Sequence, residues 1–328
     1  MLDIGSTSAQ LLVVDTARDM PPMPTHTVKR RTLLGDAFEP DGSIDAAGVE
    51  RLVRALAGTM RAARDYGVEQ LCVVVTASVR DATNRDLVLT RLERETGVRP
   101  QFLTGEDEAR LVYQAAREWS GRSAGRLLLL DIGGGTMEIA AGEDDEPDFV
   151  VSLPLGAGQL TRAFLPDDPP REDQLRALRK YVRTSLKEVA HAVAAQPEPD
   201  TVIAASRTFG QLARLAGPSS SRHGQVTRRT LAAADLTEWI PRLARRNSKQ
   251  RAELRGVSRN RARQILAGAI VAESALAALD IPQLRVCPWG LREGLILRHL
   301  RAHGDTKPAR KVSQRRIRQS DDCLFLPA

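Results

Sequence analysis

The chain has 328 residues, 42% hydrophobic and 27% charged, with a formal net charge of +7, which allows two domains of ordinary size and a globular composition. Aromatic residues make up only 4%, which argues against single-strand nucleic-acid binding by base stacking. The longest apolar stretch, Ile265 to Ile281, is interrupted by Glu273 and Asp280 and reads as a buried helix, which excludes a membrane span.

The chain opens with Asp3-Ile-Gly-Ser-Thr-Ser8, read as a turn, followed by a strand at Gln10-Leu-Leu-Val-Val-Asp15. No basic segment leads into an apolar run, so no secretory signal is expected and a cytoplasmic location is. Helical patterning runs from Ala46 to Tyr66, and Gln70 to Thr76 reads as a buried strand by its length and β-branching. The polar stretch Thr76-Ala-Ser-Val-Arg-Asp-Ala-Thr-Asn84 follows as a turn, where α/β sheets place ligand groups. A helix from Asn84 to Gly97, capped by Thr83 or Asn84, precedes another that starts at Gly105-Glu-Asp-Glu-Ala-Arg110.

Ser120 to Gly125 reads as a domain boundary. Beyond it, Arg126 to Ala140 spells a buried strand, the glycine turn Gly133-Gly-Gly135, and a returning strand. A short strand at Val151 to Gly156, a helix from Arg171 to Ala195 and a strand at Thr201 to Ala205 come next. Helices dominate from Leu231 to Leu279, and a last strand at Leu284 to Cys287 precedes a final helix ending at His303. The tail from Gly304 is basic and poor in apolar residues, a composition that predicts disorder.

Asp-Ile-Gly followed by small residues thus occurs twice, at Asp3 and at Asp131, one domain length apart. The repeat predicts two related domains, each contributing a phosphate loop to a shared cleft. Glycines let backbone N–H groups approach phosphate oxygens with no Cβ in the way, and an adjoining Asp can hold Mg²⁺ in the same space. Asp131 with Gly133, Gly134 and Gly135 fits that pattern, as does Asp3 with Gly5 and Ser6. A tight hairpin with no ligand fits each glycine turn taken alone. Glu138, on the returning strand, can reach the same metal or be a surface strand residue. Arg80 can grip a phosphate with both arms or close a surface turn. Among Glu106, Asp107 and Glu108, catalysis would need one carboxylate to orient water, whereas simple complementation of the helix dipole needs none in particular.

Between Arg242 and Arg263, nine basic side chains face only Glu253, a local excess of +8 that leaves the rest of the chain slightly acidic. Such a field suits an anionic partner, although an Arg-rich solvated face would read the same way. His26, His191, His223, His299 and His303 show no metal or dyad spacing, and no serine sits in a nucleophile-elbow context. Cys72, Cys287 and Cys323 are odd in number and scattered, which fits a reducing compartment and assigns none of them a role.

Together these segments resemble the exopolyphosphatase and guanosine pentaphosphate phosphatase family (Ppx/GppA), in its short two-domain actinobacterial form, over about residues 1 to 303. Asp3-Ile-Gly-Ser6, Thr76 to Asn84, Gly105 to Arg110, Leu130 to Gly135 with Glu138, Ser152-Leu-Pro-Leu-Gly-Ala157, Ala267-Gly-Ala269 and Leu291-Arg-Glu-Gly294 carry the likeness by order and spacing. The resemblance implies an α/β fold of two ribonuclease-H-like domains, as in actin, sugar kinases and acetate kinase, with the active site in the interdomain cleft. Residues 1–122, rejoined by a returning helix at 294–303, would form the first domain, residues 123–293 the second, and 304–328 the basic tail. The implied reaction is release of terminal orthophosphate from inorganic polyphosphate, or from guanosine pentaphosphate in the sister activity; a non-catalytic polyphosphate or nucleotide sensor is the reading of another class.

By the same resemblance, Glu108 is the water-orienting base, Asp131, Glu138 and Asp3 surround Mg²⁺ (or Mn²⁺), and Gly5, Ser6, Thr7 and Ser8 form one phosphate loop. Gly133, Gly134, Gly135 and Thr136 form the other, with Arg80, Ser206 and Arg207 beside the substrate phosphates. Arg207 stands where the family often has glycine; it would crowd a nucleoside and favours polyphosphate. Thr7-Ser8, Thr136 and Arg263 also depart from the usual residues. The family carries apolar residues before its first Asp, so a start upstream of Met1 is expected. The resemblance further implies a homodimer and no membrane partner, and scarce aromatics argue against nucleic acid.

Overall fold

The computed structural model describes residues 1–14, 24–217, 229–303 and 318–319. It divides into two compact units: Met1–Thr104 with Arg292–Ala328, and Gly105–Leu291.

In the first unit, β1 (Leu2–Ile4), β2 (Ser8–Val13) and β3 (His26–Arg31) form an antiparallel meander. Helix α1 (Ala46–Asp65) crosses over to β4 (Gln70–Leu71) and β5 (Val73–Val75), and β5 lies parallel to β1. Asp45 caps α1 by accepting from the Gly48 amide, and Leu52, Leu56, Met60 and Ala63 supply a buried stripe at helical spacing. The residues after Thr76 form a short helix, α2 (Ala77–Arg80), where the sequence suggested only a polar turn. α3 (Arg85–Thr96) ends at Gly97 in the left-handed conformation and leads to β6 (Gln101–Phe102), parallel to β5. Asn84 precedes α3 but gives it no side-chain cap; its amide bridges the N–H and C=O of Ile44 instead.

The second unit opens with α4 (Gly105–Ser120), followed by the meander β7 (Leu127–Ile132), β8 (Met137–Gly142) and β9 (Phe149–Leu153). Helices α5 (Ala157–Phe164) and α6 (Glu172–Ala194) lead to β10 (Thr201–Ala204), parallel to β7. Then come α7 (Arg207–Ala216), β11 (Thr230–Ala232), α8 (Ala233–Ala244), α9 (Ser248–Ala252) and α10 (Ile265–Ala278). The order closes with β12 (Gln283–Val286), parallel to β10, and α11 (Leu291–His303). α10 is buried along almost its whole length against α5, α6 and α8, as its largely apolar sequence requires.

The first sheet runs β3-β2-β1-β5-β6 and the second β11-β12-β10-β7-β8-β9. Leaving out the edge strand β11, both have a meander of the first three strands with the fourth and fifth added in parallel beside the first. The chain is therefore an α/β protein of two ribonuclease-H-like units, and Asp3 on β1 and Asp131 on β7 occupy equivalent strands.

α4 falls in the second unit, whereas the sequence reading put residues up to 122 in the first. Its buried face packs on β7, β8 and β9, and the Ser120–Gly125 stretch becomes a turn of 3₁₀ helix joining α4 to β7. The helix from Arg292 groups with the first unit. Most of the basic tail lies outside the described residues; β13 (Arg318–Gln319) pairs with β4. Cys72 is disulfide-bonded, a role the sequence reading did not assign, while Cys287 is a buried thiol outside any disulfide. Among the described residues, no helix is long and apolar enough to cross a membrane.

Candidate functional site

Two loops in equivalent places share one construction. In the first unit, the Gly5 amide donates to the Ser8 carbonyl at 3.1 Å and closes the β1–β2 turn. In the second, the Gly133 amide donates to the Thr136 carbonyl at 2.9 Å and closes the β7–β8 turn. Each turn begins two residues after its aspartate, so the local hydrogen bonding repeats along with the sequence.

The carbonyl oxygens of both loops are drawn off by a neighbouring segment. Gly5 O accepts from Thr32 Oγ1 at 2.8 Å, Ser6 O from the Leu34 amide at 2.7 Å, and Thr7 O from the amides of Thr32 and Leu33. In the second unit, Gly133 O accepts from the Ala157 amide at 3.0 Å, Gly134 O from Gln159 at 2.9 Å, and Gly135 O from Gly156 at 3.1 Å. Those three donors are the N-terminal amides of α5, which would otherwise lack partners. A carbonyl dipole repels phosphate, so holding these oxygens to one side favours an anion on the other. Among the described residues, the amides of Gly134, Gly135 and Thr136 donate to no backbone carbonyl outside the strand ladder. The fit is close: a Cβ on Gly156 would lie 2.5 Å from the Gly135 Cα and N.

Beside the second loop, Asp131 and Glu138 are direct partners in the antiparallel register, so their side chains project from the same face of the hairpin. Glu138 is 3% exposed and accepts from the Ser152 hydroxyl on β9 at 3.0 Å. Burial raises the Asp131 carboxyl to about 6, while the Arg261 guanidinium pulls the other way. Two carboxylates on one face, one of them dehydrated, favour a neighbouring cation.

α4 brings in a third carboxylate. Gly105 lies so near Ser152 that a Cβ there would overlap its side chain, which seats the helix start on β9. Glu108 and Ala109 share the helical face of Gly105, and Ala109 is fully buried. Glu108 is half-buried, Glu106 is exposed, and Glu108 thus sits on the α4 face that meets the strand bearing Ser152, the donor to Glu138. This separates Glu108 from the exposed Glu106, while Asp107, also half-buried, lies off the helical face of Gly105.

In the first unit, Asp3 Oδ2 lies 3.8 Å from Arg292 Nε on α11. Arg80 donates from Nε and Nη2 to both oxygens of Asp81 and from Nη1 to the Leu103 carbonyl at 2.8 Å, the contacts of an arginine that closes a turn. In the second unit, Ser206 caps α7 by accepting from the Phe209 amide, and Arg207 is exposed on the first turn of that helix. The parallel pairing of β7 with β10 brings Ser206 to the strand end that carries Asp131.

Arg261 was missed as a site residue. It faces Asp131 electrostatically, and its Nη1 is 3.5 Å from Thr208 Oγ1, whose hydroxyl donates to Ile132 O. Within a run of nine basic residues nothing marked it out. Thr32, which braces the first loop, carried no local signal either, and Ser152 stood in a recognised segment without pointing to Glu138, since each acts across 14 or more residues of chain.

Asp131 and Glu138 offer only hard oxygen donors, the chemistry of Mg²⁺ or Mn²⁺ and unlike that of a zinc site. Among the described residues, no group of three or more His, Cys, Asp or Glu could enclose a metal ion. Two carboxylates with the remaining positions left to water and phosphate is the usual arrangement for Mg²⁺, so this donor set fits that ion.

Residues 12–303 match the model of the Ppx/GppA phosphatase family. Exopolyphosphatase 1 of Mycobacterium tuberculosis is 45% identical over 93% of this chain and 89% of its own length, and that of Mycobacterium leprae is 43% identical over 93% and 90%. A solved Ppx/GppA family member from Aquifex aeolicus superposes with a TM-score of 0.74 at 26% identity, covering 93% of this chain and 98% of its own. An exopolyphosphatase structure from Cytophaga hutchinsonii shares the fold with a TM-score of 0.81 at 23% identity, over 92% and 97% of the two chains. With its two aspartate–glycine hairpins in equivalent strands and a family match across nearly its whole length, the chain belongs to the Ppx/GppA phosphatase family.

Proposed function

We propose that this chain is an exopolyphosphatase, removing terminal orthophosphate from inorganic polyphosphate. The observation that carries the reading is the second-unit hairpin, with its carbonyls held back by α5, Asp131 and Glu138 on one face, and the Glu108 face of α4 beside the same strands. The two Mycobacterium relatives, 45% and 43% identical, bear the same activity in their names.

In this mechanism the loop amides of Gly134, Gly135 and Thr136 bind oxygens of the terminal phosphoryl group and hold it in place. Glu108 accepts a hydrogen bond from a water and takes its proton as the water oxygen bonds to phosphorus. The bond from that phosphorus to the bridging oxygen breaks, and the shortened chain leaves with the bridging electron pair. Asp131 and Glu138 would hold Mg²⁺, which supplies charge neutralisation when bound. Gly5 to Ser8 would form a phosphate cradle of the first unit, with Asp3 beside it as an oxygen donor.

The test is phosphate release from polyphosphates of defined length, with guanosine pentaphosphate as competitor. Glu108→Gln is expected to lower kcat by roughly 10² to 10⁴ with substrate binding retained. Near-normal turnover in that variant removes Glu108 from its role. A preference for guanosine pentaphosphate in kcat/KM transfers the chemistry to the other substrate.

A further inference from the structure

The +8 segment does not present eight charges to solvent. Arg251 is fully buried, donates to Leu243 O at 2.9 Å and pairs with Asp168 at 3.6 Å. Arg263 donates to the carbonyls of Leu165, Pro166 and Asp167 and also pairs with Asp168. Arg242 pairs with Glu238, and Arg261 faces Asp131. These arginines shape the surface; they do not make it a diffuse field.

What they shape is a pocket of about 540 Å³ lined by Ser248, Lys249, Ala252, Glu253, Arg259 and Arg263. Lys249 and Arg259 are exposed, and neither has an acidic partner within ion-pair distance among the described residues. Arg263 is fixed as part of the wall by its three carbonyl contacts, so the floor is rigid while two cations stay available. Glu253 is the single acid of the lining, which leaves the pocket net positive.

Its place in the fold ties it to the candidate site. Arg259 and Arg261 belong to one turn of 3₁₀ helix, Arg259–Arg261. At about 2 Å of rise per residue their Cα atoms are separated by about 4 Å along the axis. Arg261 acts on Asp131 and Arg259 lines the pocket. One short turn therefore carries one cation directed at the Asp131 site and another that lines the pocket.

We propose that this pocket is a subsite for internal phosphates of the polyphosphate chain, with Lys249 and Arg259 as the contacting cations. It rests on the exopolyphosphatase reading above and adds where the uncleaved part of the substrate lies. The pocket engages chains long enough to extend past Arg261 and leaves short ones untouched, so it sets chain-length preference without entering the chemistry. Its affinity comes from charge pairing and falls with salt.

The test compares the wild-type protein with Lys249→Ala/Arg259→Ala on tripolyphosphate and on a long polyphosphate. Exposed charge contacts are each worth a factor of roughly 1.5 to 5, so KM for the long chain is expected to rise roughly 2- to 25-fold. The kcat, the KM for tripolyphosphate and the thermal midpoint stay unchanged. The salt dependence of kcat/KM for the long chain becomes shallower in the variant. Equal KM changes for both substrates, or none for either, overturn the subsite while leaving the exopolyphosphatase reading intact. Binding of a nucleic-acid homopolymer that is lost in the variant, with long-chain kinetics unchanged, assigns the pocket to another partner and also overturns it. Absence of phosphate release by the wild-type protein from any polyphosphate sinks the reading itself, and the subsite with it.

Discussion

Replacing Gly156 with alanine tests whether the α5 terminus holds the second loop in its working shape. The added Cβ would lie 2.5 Å from the Gly135 Cα and N, whereas non-bonded carbon atoms settle at about 3.5 Å or more. The loop or the helix must therefore retreat by about 1 Å. Overpacking of this kind costs about 1 to 3 kcal/mol. The bond from the Gly156 amide to Gly135 O, at 3.1 Å, is strained first and contributes about 1 kcal/mol more. Together these predict a stability loss of about 2 to 4 kcal/mol, read as a lowered urea midpoint with an unchanged slope. Because the same three α5 amides fix the loop carbonyls, a 1 Å displacement should lower kcat/KM on polyphosphate by roughly 10²-fold. Gly210→Ala is the control: its Cβ meets only the far end of Arg214, at 3.9 Å, inside α7, and should stabilise by about 0.5 to 1 kcal/mol with activity intact. A Gly156→Ala protein with wild-type midpoint and kcat/KM would refute the argument that this contact shapes the loop.

Asp131→Asn should stabilise the metal-free protein while abolishing turnover. A carboxyl raised from 3.8 to about 6 binds its proton more tightly folded than unfolded, so the contribution of Asp131 to stability is fully present below pH 4 and is lost as pH rises to about 6. The loss is at most about 3 kcal/mol at 1.36 kcal/mol per pH unit, screening at the partly exposed carboxyl making this a ceiling. The difference in urea midpoint between wild type and Asp131→Asn, measured with chelator from pH 4 to 7, should grow and then level off; a constant difference counts against a raised carboxyl at Asp131. Arg251→Met removes a fully buried guanidinium from Asp168 and should cost about 3 kcal/mol, with part of it recovered in Asp168→Asn/Arg251→Met. Calorimetric midpoints of the single and double variants decide this, and full additivity would show that the pair is not coupled.

Much of the fold was legible because its signals are local. The run Leu127 to Leu130 announces a strand buried on both faces, and all four leucines are buried. Gly97 ends α3 in the one conformation that favours glycine there. The repeated Asp-Ile-Gly announced two related units, and the two sheets share a strand order. Asn84 misled for the same reason: capping preference is local, and Ile44, forty residues earlier, competes for its amide.

The sequence alone therefore determined the elements, the duplicated hairpins and the kinds of side chain at hand, since periodicity and turn chemistry act over a few residues. Tertiary structure decided which partners those side chains meet. It turned Arg80 onto Asp81 and Leu103, put Glu108 on the face of α4 that meets the second sheet, and moved that helix out of the first unit. It also divided the basic run between structural anchors and exposed cations, through contacts such as Arg263 to Leu165 that span 98 residues. A charge has the same sign wherever it falls in the chain, but its energy depends on the partner and the water around it, and both are supplied by folding.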